Sequence, residues 1–178
     1  KILYQNEKQA NKIAARVMLC TWGLYTLVYL LNLLGIFIID GTVMNIAYVV
    51  GSVVLILPWL IVKFGKHDWR WLKYFMVVCS TIFIAILCVA LTYHSVVVYV
   101  YPIGIASLYF QRRLNVIATA LSVITTGIGQ ILAFYYNPLP DLNFPTYEEL
   151  ILFSVFPRTL SLIAMAVIFT MLSERTAK

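Results

Sequence analysis

"LFSVFPRTLSLIAMAVIF" occupies residues 152–169 and carries Arg158 directly after Pro157. A helix needs about 20 apolar residues to cross the hydrocarbon core of a bilayer, and this run with its neighbours is long enough. A permanent cation inside such a helix is expensive and normally faces the interior of a bundle. Proline has no N–H to donate, so the carbonyl of Phe153, one turn earlier, is left free and a kink is expected. The stretch therefore predicts a membrane helix with one unusual position.

The rest of the chain agrees with a membrane assignment. Of its 178 residues 62% are hydrophobic and 11% are charged, against roughly 25% charged in an ordinary soluble domain. Mean hydropathy is +0.91. Six spans follow, at 14–39, 43–62, 74–91, 95–110, 114–136 and 150–172, giving an all-α, polytopic membrane bundle of six transmembrane helices in a single domain. The first is long enough to tilt; the fourth is short. The chain begins at Lys1 rather than Met, so the numbering is expected to start inside a longer protein.

Charge sets the expected orientation. The net charge is +6, but the basic residues cluster at span ends, which is a topology signal rather than a nucleic-acid surface. Lys1, Lys8, Lys12 and Arg16 sit at the start of span one. Lys63, Lys66, Arg70 and Lys73 join spans two and three, Arg112 and Arg113 join spans four and five, and Arg175 and Lys178 follow span six. The remaining links hold Asp40, Asp141, Glu148 and Glu149 with no Lys or Arg. The positive-inside rule places both termini in the cytoplasm and the domain in an inner or plasma membrane. "KHDWRWLKYF" reads as an interfacial anchor, with no pocket to make His67 and Asp68 catalytic. The long link "NPLPDLNFPTYEE" reads as an extended connector, with a lid as the alternative.

Polar residues within the spans mark the candidate site. Arg158 lies roughly 12 Å below the outer start of span six and Gln130 roughly 9 Å below the outer end of span five. Tyr29 and Asn32 of span one, Asn45 and Tyr48 of span two, and Tyr99 and Tyr101 beside Pro102 in span four come to a similar outer level. Ala118, Ser122, Thr126 and Gln130 form a small, polar stripe on span five, and Ser154, Arg158 and Ser161 share a face of span six. Such stripes pack helices closely. Two readings stay open. In one, Gln130 and Arg158 hold the bundle together. In the other, Arg158, Gln130, Tyr99, Tyr101, Asn32, Asn45 and Tyr48 form an outward-facing ligand site, with Pro157 and Pro102 transmitting the signal. The internal partners weighed for Arg158 are Gln130, Tyr99, Tyr101, Asp141 and Glu148.

Intramembrane catalysis needs a nucleophile with a base, a carboxylate pair or a metal cluster. The six spans contain no Asp, Glu or His, so no enzyme, metal or cofactor is expected. Cys20, Cys79 and Cys88 have no CxxC spacing and read as structural thiols. A channel is disfavoured by the single deep charge and the lack of a filter-like string.

"YPIGIASLYFQRRLN" (101–115) and "FPRTLSLIAMAVIFTMLSERTAK" (156–178) resemble helices of six-helix membrane input domains in bacterial signalling proteins such as histidine kinases, diguanylate cyclases and PP2C-type phosphatases. That resemblance implies a small-molecule ligand, a sensory role carried over to Tyr101, Pro102, Pro157 and Arg158, a last helix leading to a cytoplasmic output module absent from this sequence, and a homodimer. Substrate-binding subunits of vitamin importers are a second, competing resemblance. They tend to have a longer first outer loop than "DGT" and a small-residue docking motif, for which Ala10, Ala14 and Ala15 are the nearest match here.

Overall fold

The computed structural model describes residues 2–36, 39–65, 70–90, 96–136 and 144–176. Lys66, His67, Asp68, His94 and Asp141 lie outside them. The described residues are all-α: α1 (Ile2–Leu33), α2 (Gly41–Phe64), α3 (Leu72–Ala90), a 3₁₀ turn (Val96–Val100) leading into α4 (Tyr101–Ser107), α5 (Arg112–Tyr136), α6 (Tyr147–Leu150), a π turn (Ile151–Val155) and α7 (Phe156–Thr176). Five helical segments are long and apolar enough to cross a membrane, and the chain is a multi-pass membrane protein. Its outer faces fit that solvent: Leu24, Ile46, Val53, Leu152 and Ile168 are exposed, a pattern that hydrocarbon stabilises and water does not.

Two spans differ from the sequence expectation. Span one was expected at 14–39, but α1 starts at Ile2 and ends at Leu33. Gly35 adopts φ +74; its N–H donates to the Asn32 carbonyl, and the Ile36 N–H to the Leu31 carbonyl, both at 3.0 Å. These two bonds form a Schellman cap, which needs the left-handed conformation glycine takes at little cost. Asp40 then starts α2 by accepting from the Thr42 and Val43 N–H groups at 3.0 Å each.

The second difference is the fourth span, expected at 95–110 and short: its apolar helix is Val97–Ser107, which begins as a 3₁₀ turn and is followed by Phe110 at φ 51. The β-branched run before Pro102 favours the tighter start, because proline biases the preceding residue and supplies no N–H. The piece nevertheless runs deep. Tyr99 lies beside Cys88, Tyr101 packs edge-on to Phe83, and the Gln111 amide oxygen accepts from Lys73 at 2.9 Å.

α3 is the central helix, with Met76, Phe83, Ile84 and Leu87 buried among its neighbours. α1 pairs with α2, both lean on α3, and α4 lies against α3, α5 and α7. α7 packs mainly on α5 and is the least enclosed of the long helices. Polar ties close the end holding the N-terminus of α5. Lys73 Nζ and Gln111 Nε2 both donate to Glu7 Oε1 at 2.7 Å. Tyr109 Oη donates to Asn11 Oδ1 at 2.8 Å, and Asn115 Nδ2 to Ser173 Oγ at 3.2 Å.

Candidate functional site

The polar residues at the opposite end fall into two groups, not one. The first lies between α3, α4, α5 and α7. The Arg158 guanidinium carbon stands 5.8 Å from the centre of the Tyr99 ring, within the range where a cation is drawn to an aromatic face. Tyr99 is itself 1% exposed, and its hydroxyl lies beside Cys88 and Gln130. Ser154 Oγ donates to Gln130 Oε1 at 3.2 Å. Thr126 reaches the same Cys88 from one turn away on α5.

Local structure explains how these side chains meet. Gly129 lets α5 approach α3: a Cβ there would stand 2.7 Å from the Cβ of Cys88. On the α7 side, the Phe156 N–H returns to the Ile151 carbonyl, five residues back, which is the π-helical pattern. The expected kink at Pro157 is thus expressed as a widened turn at 151–155. It sets Ser154 toward Gln130 and leaves Arg158 at the head of a regular helix.

The group is rich in donors. Among the described residues, Ser122 Oγ is buried without a hydrogen-bond partner, and Gln130 Nε2 and Thr126 Oγ1 have none beyond the Tyr99 hydroxyl and the Cys88 thiol they face. Leaving such a group unsatisfied costs about 1–3 kcal/mol. The stripe of Ser122, Thr126 and Gln130 on one face of α5 therefore carries unused hydrogen-bonding capacity in the core. With a guanidinium at its edge, the arrangement suits a carboxylate, a phosphate or another acceptor-rich group.

The second group holds Asn32, Asn45 and Tyr48, which lie along the seam between α1 and α2. Tyr29 Oη donates to Asn45 Oδ1 at 2.8 Å, Tyr48 and Thr26 share a bond of 3.1 Å, and Asn32 Oδ1 accepts from the Ile39 N–H at 3.2 Å. The Tyr29 and Tyr48 rings stack at 4.1 Å. These groups satisfy one another and lock the two helices. Tyr101 stands between the groups, its hydroxyl 3.0 Å from that of Thr21. Pro102 is buried in the first turn of α4, Pro157 faces outward, and Glu148 is exposed.

Cys88 is the member of the site that sequence reasoning treated only as a structural thiol. Its role depends on the pairing of α3 with α5 at Gly129, which spacing along one helix does not reveal. Among the described residues no group of three or more His, Cys, Asp or Glu could hold a metal ion. No family model matches the chain, and neither do any curated protein or solved structure.

Proposed function

We propose that this chain is a membrane sensory domain. It binds a small anionic or acceptor-rich ligand among Arg158, Gln130, Tyr99 and Ser154, and relays the event along α7 to a cytoplasmic output module. In this reading both termini face the cytoplasm of an inner or plasma membrane, and the domain works as a homodimer. One observation carries it: the buried donor cluster sits at the junction between the π turn and α7. α7 is an uninterrupted helix of 21 residues and the least enclosed of the long ones, so a shift at its head is transmitted along a stiff rod. The importer alternative has weaker support, because Ala10, Ala14 and Ala15 are buried within the chain and offer no docking face.

The test is a thermal-shift screen of the purified domain against small carboxylates and phosphate esters, with Arg158→Lys and Arg158→Leu alongside. A ligand should stabilise the wild type. Arg158→Lys should weaken that stabilisation, since an ammonium lacks the planar fork. Arg158→Leu should abolish it yet leave the unliganded fold as firm or firmer, because the desolvation cost of the charge is gone. An Arg158→Leu chain that cannot be purified folded would make the arginine a structural strut and overturn the assignment. Sidedness is checked in a Cys20→Ser background: an impermeant thiol reagent should reach Pro145→Cys from outside and Arg70→Cys only after lysis.

A further inference from the structure

Among the described residues, the serine and threonine side chains buried in the bundle are Ser80, Thr81, Ser122, Thr126, Ser154 and Ser173. Ser80 and Thr81 donate to the Val77 carbonyl at 2.7 and 2.8 Å, and Ser173 donates to the Phe169 carbonyl at 2.8 Å. Ser154 donates to Gln130, and Thr126 faces the Cys88 thiol. Ser122 is 0% exposed, and its hydroxyl bonds to nothing. The Ala118 carbonyl, one turn earlier on α5, is the acceptor that a helical serine commonly takes. The Ser122 hydroxyl is therefore turned away from the helix that carries it.

The register of α3 against α5 shows where it points. The two helices run parallel: Lys73 meets Gln111 at one end, and a Cβ on Gly129 would stand 2.7 Å from the Cβ of Cys88 at the other. Ser122 lies two turns before Gly129, and Thr81 lies two turns before Cys88. The two residues thus share a level and face the same interface. Thr81 has given its hydrogen to Val77, but a hydroxyl oxygen keeps lone pairs that accept. Thr126 stands one turn above Ser122 on the same face of α5. Side chains so spaced are about 5–6 Å apart, too far for a direct bond and suited to one bridging water at about 2.8 Å from each. From Arg112 to Ser122 the helix rises about 15 Å, half of a hydrocarbon core about 30 Å thick. Ser122 therefore sits near the middle of the bilayer, where bulk water is out of reach.

We propose that the α3–α5 interface binds an internal water molecule between Ser122 and Thr126, with the Thr81 hydroxyl as its third partner. The water accepts from Ser122 and donates to the Thr126 and Thr81 oxygens. Three bonds are what a buried water normally makes. The bridge joins Ser122 to the group formed by Thr126, Cys88, Gln130 and Tyr99, so the polar cluster at the head of α7 continues to mid-membrane. This site goes beyond the ligand reading and does not rest on it, since Ser122 lies about 12 Å below Gln130 along α5. A dry interface is the alternative, in which the Ser122 hydroxyl turns back to the Ala118 carbonyl.

The experiment is water-edited solid-state NMR of the full chain in deuterated lipid bilayers, without added ligand. It reads polarisation transfer from water protons to ¹³C-labelled serine and threonine side chains. Ser122 should receive polarisation; Ser80, equally buried but bonded to Val77, should not. Thr126→Val removes one holder of the water and should weaken the transfer to Ser122. Ser122→Ala should lower the thermal unfolding midpoint by about 2–4 °C, the loss expected for one satisfied hydrogen bond in a chain of this size. Transfer to Ser122 no greater than to Ser80 overturns the proposal. Transfer that Thr126→Val leaves unchanged overturns the placement between the two hydroxyls. A midpoint that Ser122→Ala leaves unchanged or raises also overturns it, because deleting an unsatisfied group removes a cost. Should Ser122→Ala fail to fold, the comparison of Ser122 with Ser80 in the wild type decides alone.

Discussion

Arg158 presents its guanidinium to the face of Tyr99, 5.8 Å from the ring centre. The ring is buried, and a desolvated cation over an aromatic face is worth up to about 2 kcal/mol. Tyr99→Phe keeps the face and deletes the hydroxyl beside Cys88 and Gln130; it should cost about 1 kcal/mol. Tyr99→Leu loses the face as well and should cost about 3 kcal/mol. Thermal unfolding in detergent, followed by tryptophan fluorescence, separates the two. Equal losses would assign the contribution to the hydroxyl rather than the ring.

The approach of α3 to α5 rests on a missing side chain. A Cβ on Gly129 would meet the Cβ of Cys88 at 2.7 Å, and overpacking of this kind costs about 1–3 kcal/mol. Gly129→Ala should therefore destabilise the fold despite alanine's better helix propensity. Because the clash is between β-carbons, Cys88→Ala should not rescue it, whereas Cys88→Gly should restore part of the loss. A double-mutant cycle on unfolding midpoints measures the coupling. Rescue by Cys88→Ala would locate the collision at the sulfur instead.

The extent of most helices was legible in the sequence; direction around each helix was not. Spans two, three, five and six coincide with α2, α3, α5 and the α6–α7 unit to within a few residues, since apolar length alone sets them. The end of α1 was signalled by Gly35 but overrun by the apolar residues that follow it. The shortness of the fourth span was legible from its apolar length; its 3₁₀ start was not. The same limit divides the candidate site. Arg158, Gln130 and Tyr99 share both a level and an interface. Asn32, Asn45 and Tyr48 share only the level, and face the α1–α2 seam. Which faces meet depends on close approaches such as Gly129 to Cys88, and these are pairings between helices rather than periodicities within one.

At the other end of the bundle, Glu7, Lys73 and Gln111 form a closed triangle of hydrogen bonds tying α1, α3 and the start of α5. The Lys73 and Glu7 side chains are only 14% and 25% exposed, so the charged bonds are partly shielded from water. Glu7→Ala should cost about 1–2 kcal/mol, the lower figure applying at high salt. Glu7→Gln retains an acceptor and should lose less. Unfolding midpoints of the three proteins at low and high ionic strength are the measurement. A Glu7→Ala loss that does not respond to salt would point to packing rather than charge.

The final prediction concerns Pro157 and the π turn before it. Proline gives no N–H to the Phe153 carbonyl, and the backbone instead closes from the Phe156 N–H to the Ile151 carbonyl. Pro157→Ala restores the missing donor, so the regular i to i−4 bond becomes available and the π turn loses its main cause. Closing that turn changes the register of residues 151–155 relative to Arg158 by about one position, which rotates Ser154 away from Gln130 by roughly 100°. The Ser154 to Gln130 bond of 3.2 Å should then be lost. Hydrogen exchange followed by mass spectrometry should show slower exchange across 151–157 and unchanged protection at the α5–α7 contacts nearer Asn115 and Ser173. Ligand stabilisation of the kind sought for Arg158 should fall in the same variant, because one wall of the donor cluster has turned. Unchanged exchange at 151–157 would mean that tertiary packing, and not the proline, holds the π turn open.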